Sequence, residues 1–257
     1  MALLDVKDLT ISFGGVTAIA DLHFKVPESQ VYAVIGPNGA GKTTLFNMLS
    51  GIYKPNEGSI RFLDKEIVGR QPHQVAAMGI SRTFQNLQMF FNMSVLDNVK
   101  VGCHLRTHSR LWSAALRLPN ILREEHQAEQ WSREALIFCG LEKYINMPAD
   151  SLPYGVLKRV EIARALASQP KLLLMDEPAA GLNDTETVEM RELIRRISET
   201  GVSVLLVEHN MGLVMQVSDR ILVIDYGSRL AEGLPEEIQN NPKVIEAYLG
   251  GEVQYAV

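Results

Sequence analysis

Gly36-Pro-Asn-Gly-Ala-Gly-Lys-Thr43 fits G-x-x-x-x-G-K-[ST] at every fixed position. The apolar run Val31-Tyr-Ala-Val-Ile35 leads into it, and an amphipathic stretch from Lys42 to Leu49 follows. Strand, loop and helix in that order are the setting this pattern needs. The glycines let the backbone wrap a phosphate chain without Cβ clashes. N–H groups at the helix start then face the anion. Lys42 reaches the β- and γ-phosphates, and the Thr43 hydroxyl is placed to ligate Mg²⁺. A nucleotide is therefore expected on Gly36, Pro37, Asn38, Gly39, Ala40, Gly41, Lys42 and Thr43.

A second constellation suits the first. Leu172-Leu-Leu-Met-Asp-Glu-Pro178 is an apolar strand that ends in carboxylates. Hard cations take oxygen ligands, and Asp176 can hold Mg²⁺ through a water. Glu177 can accept a proton from an attacking water. His209 follows the apolar run Val202–Val207, at the carboxyl end of a core strand where ligands of open α/β sheets gather. Gln85 closes the extended piece Ile80–Phe84 and suits a water- or metal-contacting sensor. Phe13 can stack under a purine, or it is a plain inward position of Leu9-x-Ile11-x-Phe13.

Outward from these residues, Leu4, Val6, Leu9 and Ile11 alternate as a half-buried strand, with further strands at Leu22–Val26 and Ser59–Leu63. From Ser94 to Ala167 the strand signal disappears, and helical periodicity runs over 94–101, 122–139 and 155–167. The basic piece from Lys100 to Arg123, with Arg106, Arg110 and Arg117, reads as a solvated helical face or a partner contact. Phe90-Phe-Asn-Met93 is either core or the lining of a docking cleft. The α/β rhythm then returns with strands at Lys171–Met175, Val202–Val207 and Arg220–Ile224, and a helix at Asp184–Ser198 capped by Asn183 or Asp184. Two short helices near 235–239 and 242–249 close the chain.

Composition narrows the class. The 257 residues are 46% hydrophobic and 21% charged, as in ordinary globular proteins, and the net charge of −5 gives no footprint for nucleic acid. No apolar run approaches the ~18 residues of a membrane span. Charges within Met1-Ala-Leu-Leu-Asp-Val-Lys7 argue against a signal peptide. Cys103 and Cys139 have no metal-type spacing and form no disulfide framework, which suits a reduced cytosolic protein.

Together these residues resemble the ATPase subunit of an ABC transporter over nearly the whole chain. The resemblance identifies Gly36 to Thr44 as the Walker A loop, Thr44 included, and Phe13 as the adenine-stacking position. It makes Gln85 the Q-loop glutamine, Asp176 and Glu177 the Walker B aspartate and catalytic base, Ala180-Gly181-Leu182-Asn183 the D-loop, and His209 the switch histidine. It implies a P-loop NTPase core with an antiparallel β subdomain and an inserted α-helical subdomain. The expected division is a core at 1–85 and 166–235, a helical subdomain at 86–165, and a helical tail at 236–257. ATP and Mg²⁺ are the implied cofactors, the metal falling to Thr43, Gln85 and Asp176.

Arg82-Thr-Phe-Gln-Asn86, Asp176-Glu-Pro-Ala-Ala-Gly-Leu-Asn183, Val207-Glu-His-Asn210, Asn241-Pro-Lys-Val-Ile-Glu-Ala-Tyr-Leu-Gly250 and the insert around 104–123 are similar to the larger ATPase subunit of branched-chain amino-acid importers. That implies a second, related ATPase subunit as partner, with a homodimer as the alternative. It also implies two transmembrane permeases, an extracytoplasmic substrate-binding protein, and a place on the cytoplasmic face of the membrane. A urea or amide importer, a lipopolysaccharide exporter, a soluble non-transport ABC factor and a binding-only subunit are the rivals. One motif departs. The family signature, expected as Leu-Ser-Tyr-Gly-Gln, here reads Leu152-Pro153-Tyr154-Gly155-Val156. In the family this loop contacts the ATP of the opposite subunit. Pro153 has neither hydroxyl nor N–H, and Val156 lacks the side-chain amide of a glutamine, so two unequal composite sites are expected.

Overall fold

A computed structural model describes residues 2–107 and 119–253; Arg110 and Arg117 of the basic piece lie outside the described residues. Strands β1 (Ala2–Phe13), β2 (Val16–Pro27), β4 (Glu57–Phe62) and β5 (Lys65–Glu66) form an antiparallel sheet in the order β2-β1-β4-β5. The second sheet has six strands in the order β10-β9-β3-β8-β7-β6. These are β3 (Val31–Ile35), β6 (Ile80–Arg82), β7 (Leu172–Asp176), β8 (Ser203–Val207), β9 (Arg220–Asp225) and β10 (Ser228–Gly233). All its pairings are parallel except β9 with β10.

The parallel strands are covered on both faces, so their sequences are continuous apolar runs. Alternate residues serve different layers. In β7, Leu172 and Leu174 belong to the core that also takes in the antiparallel sheet, while Leu173 and Met175 join the core beneath the helices. Burying each such side chain stabilises by about 1.5–3 kcal/mol, which outweighs any local propensity in a five-residue strand. In β1 the alternation of Leu4 and Val6 slips by one before Leu9 and Ile11. A bulge at that register shift, with Asp8 at φ 50°, returns all four to the core.

Helix α1 (Lys42–Leu49) follows β3, and α2 (Pro72–Ala77) precedes β6. Between β6 and β7 come α3 (Val95–Lys100), α4 (Pro119–Phe138) and α5 (Tyr154–Ala167). They share one core with the sheet: Val95, Leu136 and Val160 cluster with Leu173, Met175 and Leu206. Arg106 is not a solvated residue of a basic face. Its guanidinium lies 3.2 Å from the centre of the Trp131 ring and donates to the Ala167 carbonyl at 3.0 Å. Helices α6 (Asp184–Glu199), α7 (Met211–Val217), α8 (Pro235–Gln239) and α9 (Pro242–Val253) complete the chain.

Candidate nucleotide site

The loop from Gly36 to Thr43 lies at the carboxyl end of β3, with β8 and β9 on either side. Two of its glycines are required by close approach. A Cβ on Gly36 would sit 2.0 Å from the Ile224 carbonyl oxygen of β9, and one on Gly41 would sit 2.6 Å from the Ala18 carbonyl. The loop is held by the amide of Ala40 donating to the Pro37 carbonyl, and by the amide of Gly227 donating to the Ala40 carbonyl. On α9, Tyr248 packs against the cluster of Ala33 and Ile35, and its oxygen meets the Gly36 backbone amide. Burial pushes that phenol up to about 12.

Lys42 is buried, and its Nζ donates to the carbonyls of Gly36 at 2.7 Å and Pro37 at 2.9 Å. Desolvation lowers its pKa, opposed by the nearby Glu177 and Asp176 carboxylates. Glu177 follows β7 with φ 50°, in the left-handed region a glutamate seldom adopts. Its amide donates to the Val207 carbonyl at 2.8 Å, which holds that turn against β8. Gln85 Nε2 donates to Glu177 Oε2 at 2.9 Å, and His209 Nε2 lies 3.0 Å from Glu177 Oε1. Residues 85, 177 and 209, from three separate segments, thus meet on one carboxylate.

Thr43, at the start of α1, is exposed. Its hydroxyl, the Asp176 carboxylate and the Gln85 amide oxygen are of the hard-oxygen type that Mg²⁺ takes beside substrate phosphates. Phe13, beside the two-residue turn Gly14-Gly15, is 45% exposed and meets Tyr53 edge-on at 5.2 Å. It is therefore not an inward strand position, and part of its ring is free. Phe90, Phe91 and Met93 are likewise exposed rather than core.

In the departing loop, Pro153 is the N-cap of α5, and its carbonyl accepts from the amides of Val156 and Leu157, each at 3.1 Å. Pro153 and Tyr154 are exposed, whereas Leu152, Gly155 and Val156 are buried. Val156 lies in the core beneath the helices, so its side chain does not project from the loop. The Tyr154 ring lies against Gly181, 3.1 Å from where a Cβ would stand. Asn183 caps α6, accepting from the Glu186 amide at 3.0 Å while Glu186 accepts from the Asn183 amide.

Residues 19–180 match the family described as ABC transporter, and residues 228–254 match that described as branched-chain amino acid ATP-binding cassette transporter. The chain belongs to the ABC transporter family. It is 44% identical to the high-affinity branched-chain amino acid transport ATP-binding protein BraF of Pseudomonas aeruginosa, over 96% of this chain and 98% of that protein. It is 43% identical to its LivG counterpart in Escherichia coli K12 over the same shares. Among solved structures, an ATP-binding cassette of an ABC transporter in its ADP conformation superposes with a TM-score of 0.85 at 30% identity. That match covers 97% of this chain and 99% of the other.

Four charged residues of this ABC chain had no role assigned from the sequence. Glu208 is a buried carboxylate: Oε1 accepts from the Ala179 amide at 2.7 Å, and Oε2 from the amides of His209 at 2.8 Å and Asn210 at 3.1 Å. It therefore joins the loop carrying His209 to the loop before Gly181. Lys158, also buried, donates to the Gln85 carbonyl at 3.2 Å and lies 5.6 Å from the Tyr154 ring centre. Beside it on α5, Glu161 accepts from the Phe84 amide at 3.1 Å, and burial raises its pKa. The segment of Gln85 is thus fastened to the helix whose N-terminus carries Pro153. The fourth residue is Arg82, paired with Asp176 at 2.9 Å. Each of the four would pass in sequence as an ordinary charge, because at least one of its partners is distant in the chain.

Proposed function

We propose that this chain is the ATP-hydrolysing subunit of a membrane importer for branched-chain amino acids. It works with a second, related ATPase subunit, two transmembrane permeases and an extracytoplasmic substrate-binding protein. None of the helices among the described residues is long and apolar enough to cross a membrane, so attachment to the cytoplasmic face runs through the permeases. The observation that carries the reading is the bridging of Glu177 by Gln85 and His209 beside Lys42. The likeness to BraF and LivG over nearly full length supports the substrate class.

In this reading the amides from Gly36 to Thr44 cradle the phosphates, Lys42 offsets charge on the γ-phosphate, and Phe13 stacks on the adenine. Thr43, Asp176 and Gln85 would hold Mg²⁺, which would supply positive charge beside the phosphate oxygens. Glu177 orients the attacking water and takes its proton. His209 hydrogen-bonds the γ-phosphate, and its contact with Glu177 keeps both side chains in place. Gln85, tied through Lys158 and Glu161 to α5, passes the change of state to the helical segment 86–165. The loop Leu152 to Val156 faces the partner's ATP, with Ala180 to Asn183 beside it.

Membrane purification tests the class. Recovery of the chain with two polytopic proteins and a second ATPase, with loss of labelled leucine uptake on its deletion, is expected. Recovery with ribosomes instead sinks the transporter reading. The departing loop has its own test. With this chain's own site silenced by Glu177→Gln, Pro153→Ser should raise the remaining phosphate release about ten- to hundredfold, the worth of one charge-assisted contact. No gain means that the proline is compensated.

A further inference from the structure

Arg82 stands on β6, three residues before Gln85, and its side chain is only 8% exposed. Nη2 donates to Asp176 Oδ2 at 2.9 Å. Nη1 donates to Asn47 Oδ1 at 2.7 Å and to Ser50 Oγ at 3.0 Å, at the far end of α1 from Lys42. The guanidinium carbon lies 5.6 Å from the Phe46 ring centre and 5.1 Å from that of Phe84. One cation therefore links the phosphate-loop helix, the strand leading to Gln85, and the carboxylate at the end of β7.

Asp176 is 3% exposed in its side chain. A carboxylate so buried is costly to keep ionised without a cation beside it. Lys42 is the other nearby cation, but its ammonium is hydrogen-bonded to the carbonyls of Gly36 and Pro37. Arg82 alone makes an ion pair with Asp176 among the described residues. A guanidinium keeps its charge at any pH the protein meets.

We propose that Arg82 is a positioning residue and the resident counter-ion of Asp176, and that it sets how strongly nucleotide binding depends on magnesium. This rests on the nucleotide-site reading above. With Arg82 in place, the carboxylate is held by one oxygen and its charge is offset, so a phosphate chain is not repelled even without metal. Without Arg82, the Asp176 charge is unbalanced, and only a divalent cation arriving with the nucleotide can offset it.

The test is ADP binding to the full chain, by calorimetry, in excess Mg²⁺ and in EDTA. Arg82→Met keeps an apolar stem between Phe46 and Phe84 and removes the charge. Its affinity in EDTA should fall about tenfold or more, while that in Mg²⁺ stays within about threefold of wild type. Its melting temperature should drop, Mg²⁺–ADP should raise it about as much as it raises that of wild type, and ADP in EDTA should raise it less. Adding Asp176→Asn to Arg82→Met removes both charges and should return EDTA binding to within about threefold of wild type. This second variant keeps the question open to test if the first does not fold. An unchanged ratio of Mg²⁺ to EDTA affinity in Arg82→Met overturns the proposal, as does failure of the double variant to recover. Wild-type protein that binds ADP in neither condition refutes the nucleotide-site reading itself.

Discussion

Glu177→Gln lowers phosphate release at this chain's own site about 10²- to 10⁴-fold, the usual worth of a positioned general base, so total release by the assembled transporter falls about ten- to hundredfold, to what the partner's site supplies. Nucleotide affinity stays within about threefold, because glutamine retains the shape of the side chain. The amide can still accept one hydrogen bond, from Gln85 or from His209, which now both contact the carboxylate. It cannot take a proton from water. The left-handed turn at φ 50° belongs to the backbone and survives the change. Phosphate release and binding of a fluorescent ATP analogue, measured on the same preparation, separate the two effects. Hydrolysis within about threefold of wild type would place the base elsewhere, or the productive site on the partner's nucleotide.

Gly36→Ala acts through a different link, from local geometry to packing. The added Cβ would stand 2.0 Å from the Ile224 carbonyl oxygen and 3.2 Å from the Ala40 Cβ. The first obstacle is backbone of β9, which is held by β3 on one side and β10 on the other. It cannot rotate away as a side chain would, so either the loop lifts or the strands part. A destabilisation of about 2–4 kcal/mol is expected, together with at least tenfold weaker ATP binding. For a chain of this size the stability loss appears as a fall in melting temperature of about 5–15 °C. Gly14→Ala is the control. Its site has nothing within 4 Å and carries only the strain of φ 53°, so about 1 kcal/mol and unchanged nucleotide affinity are expected. Equal effects at the two positions would mean that crowding at Gly36 is relieved cheaply.

Strands β3, β7 and β8 were legible in the sequence because burial on both faces writes itself as an unbroken apolar run. Helices α4, α5 and α6 were legible because their periodicity is long. Helix α7 was missed: it has seven residues, and its signal is the capping Asn210, which accepts from the Leu213 amide at 3.0 Å. Strand β10 was missed because Ser228 to Gly233 carries little apolar alternation and owes its form to pairing with β9. The asparagine that caps α6 was narrowed from two candidates to Asn183 by the hydrogen bonds themselves.

By itself the sequence determined the phosphate loop, the carboxylates that end β7, the family, and the departure at Pro153. Each is a short pattern whose chemistry depends on neighbours in the chain. Only the tertiary structure decided that Arg82 answers Asp176 across 94 residues, that Glu208 joins two loops, and that Lys158 fastens Gln85 to α5. Those pairings exist because buried charges must find partners wherever the fold brings them, and a linear sequence does not record which ones meet.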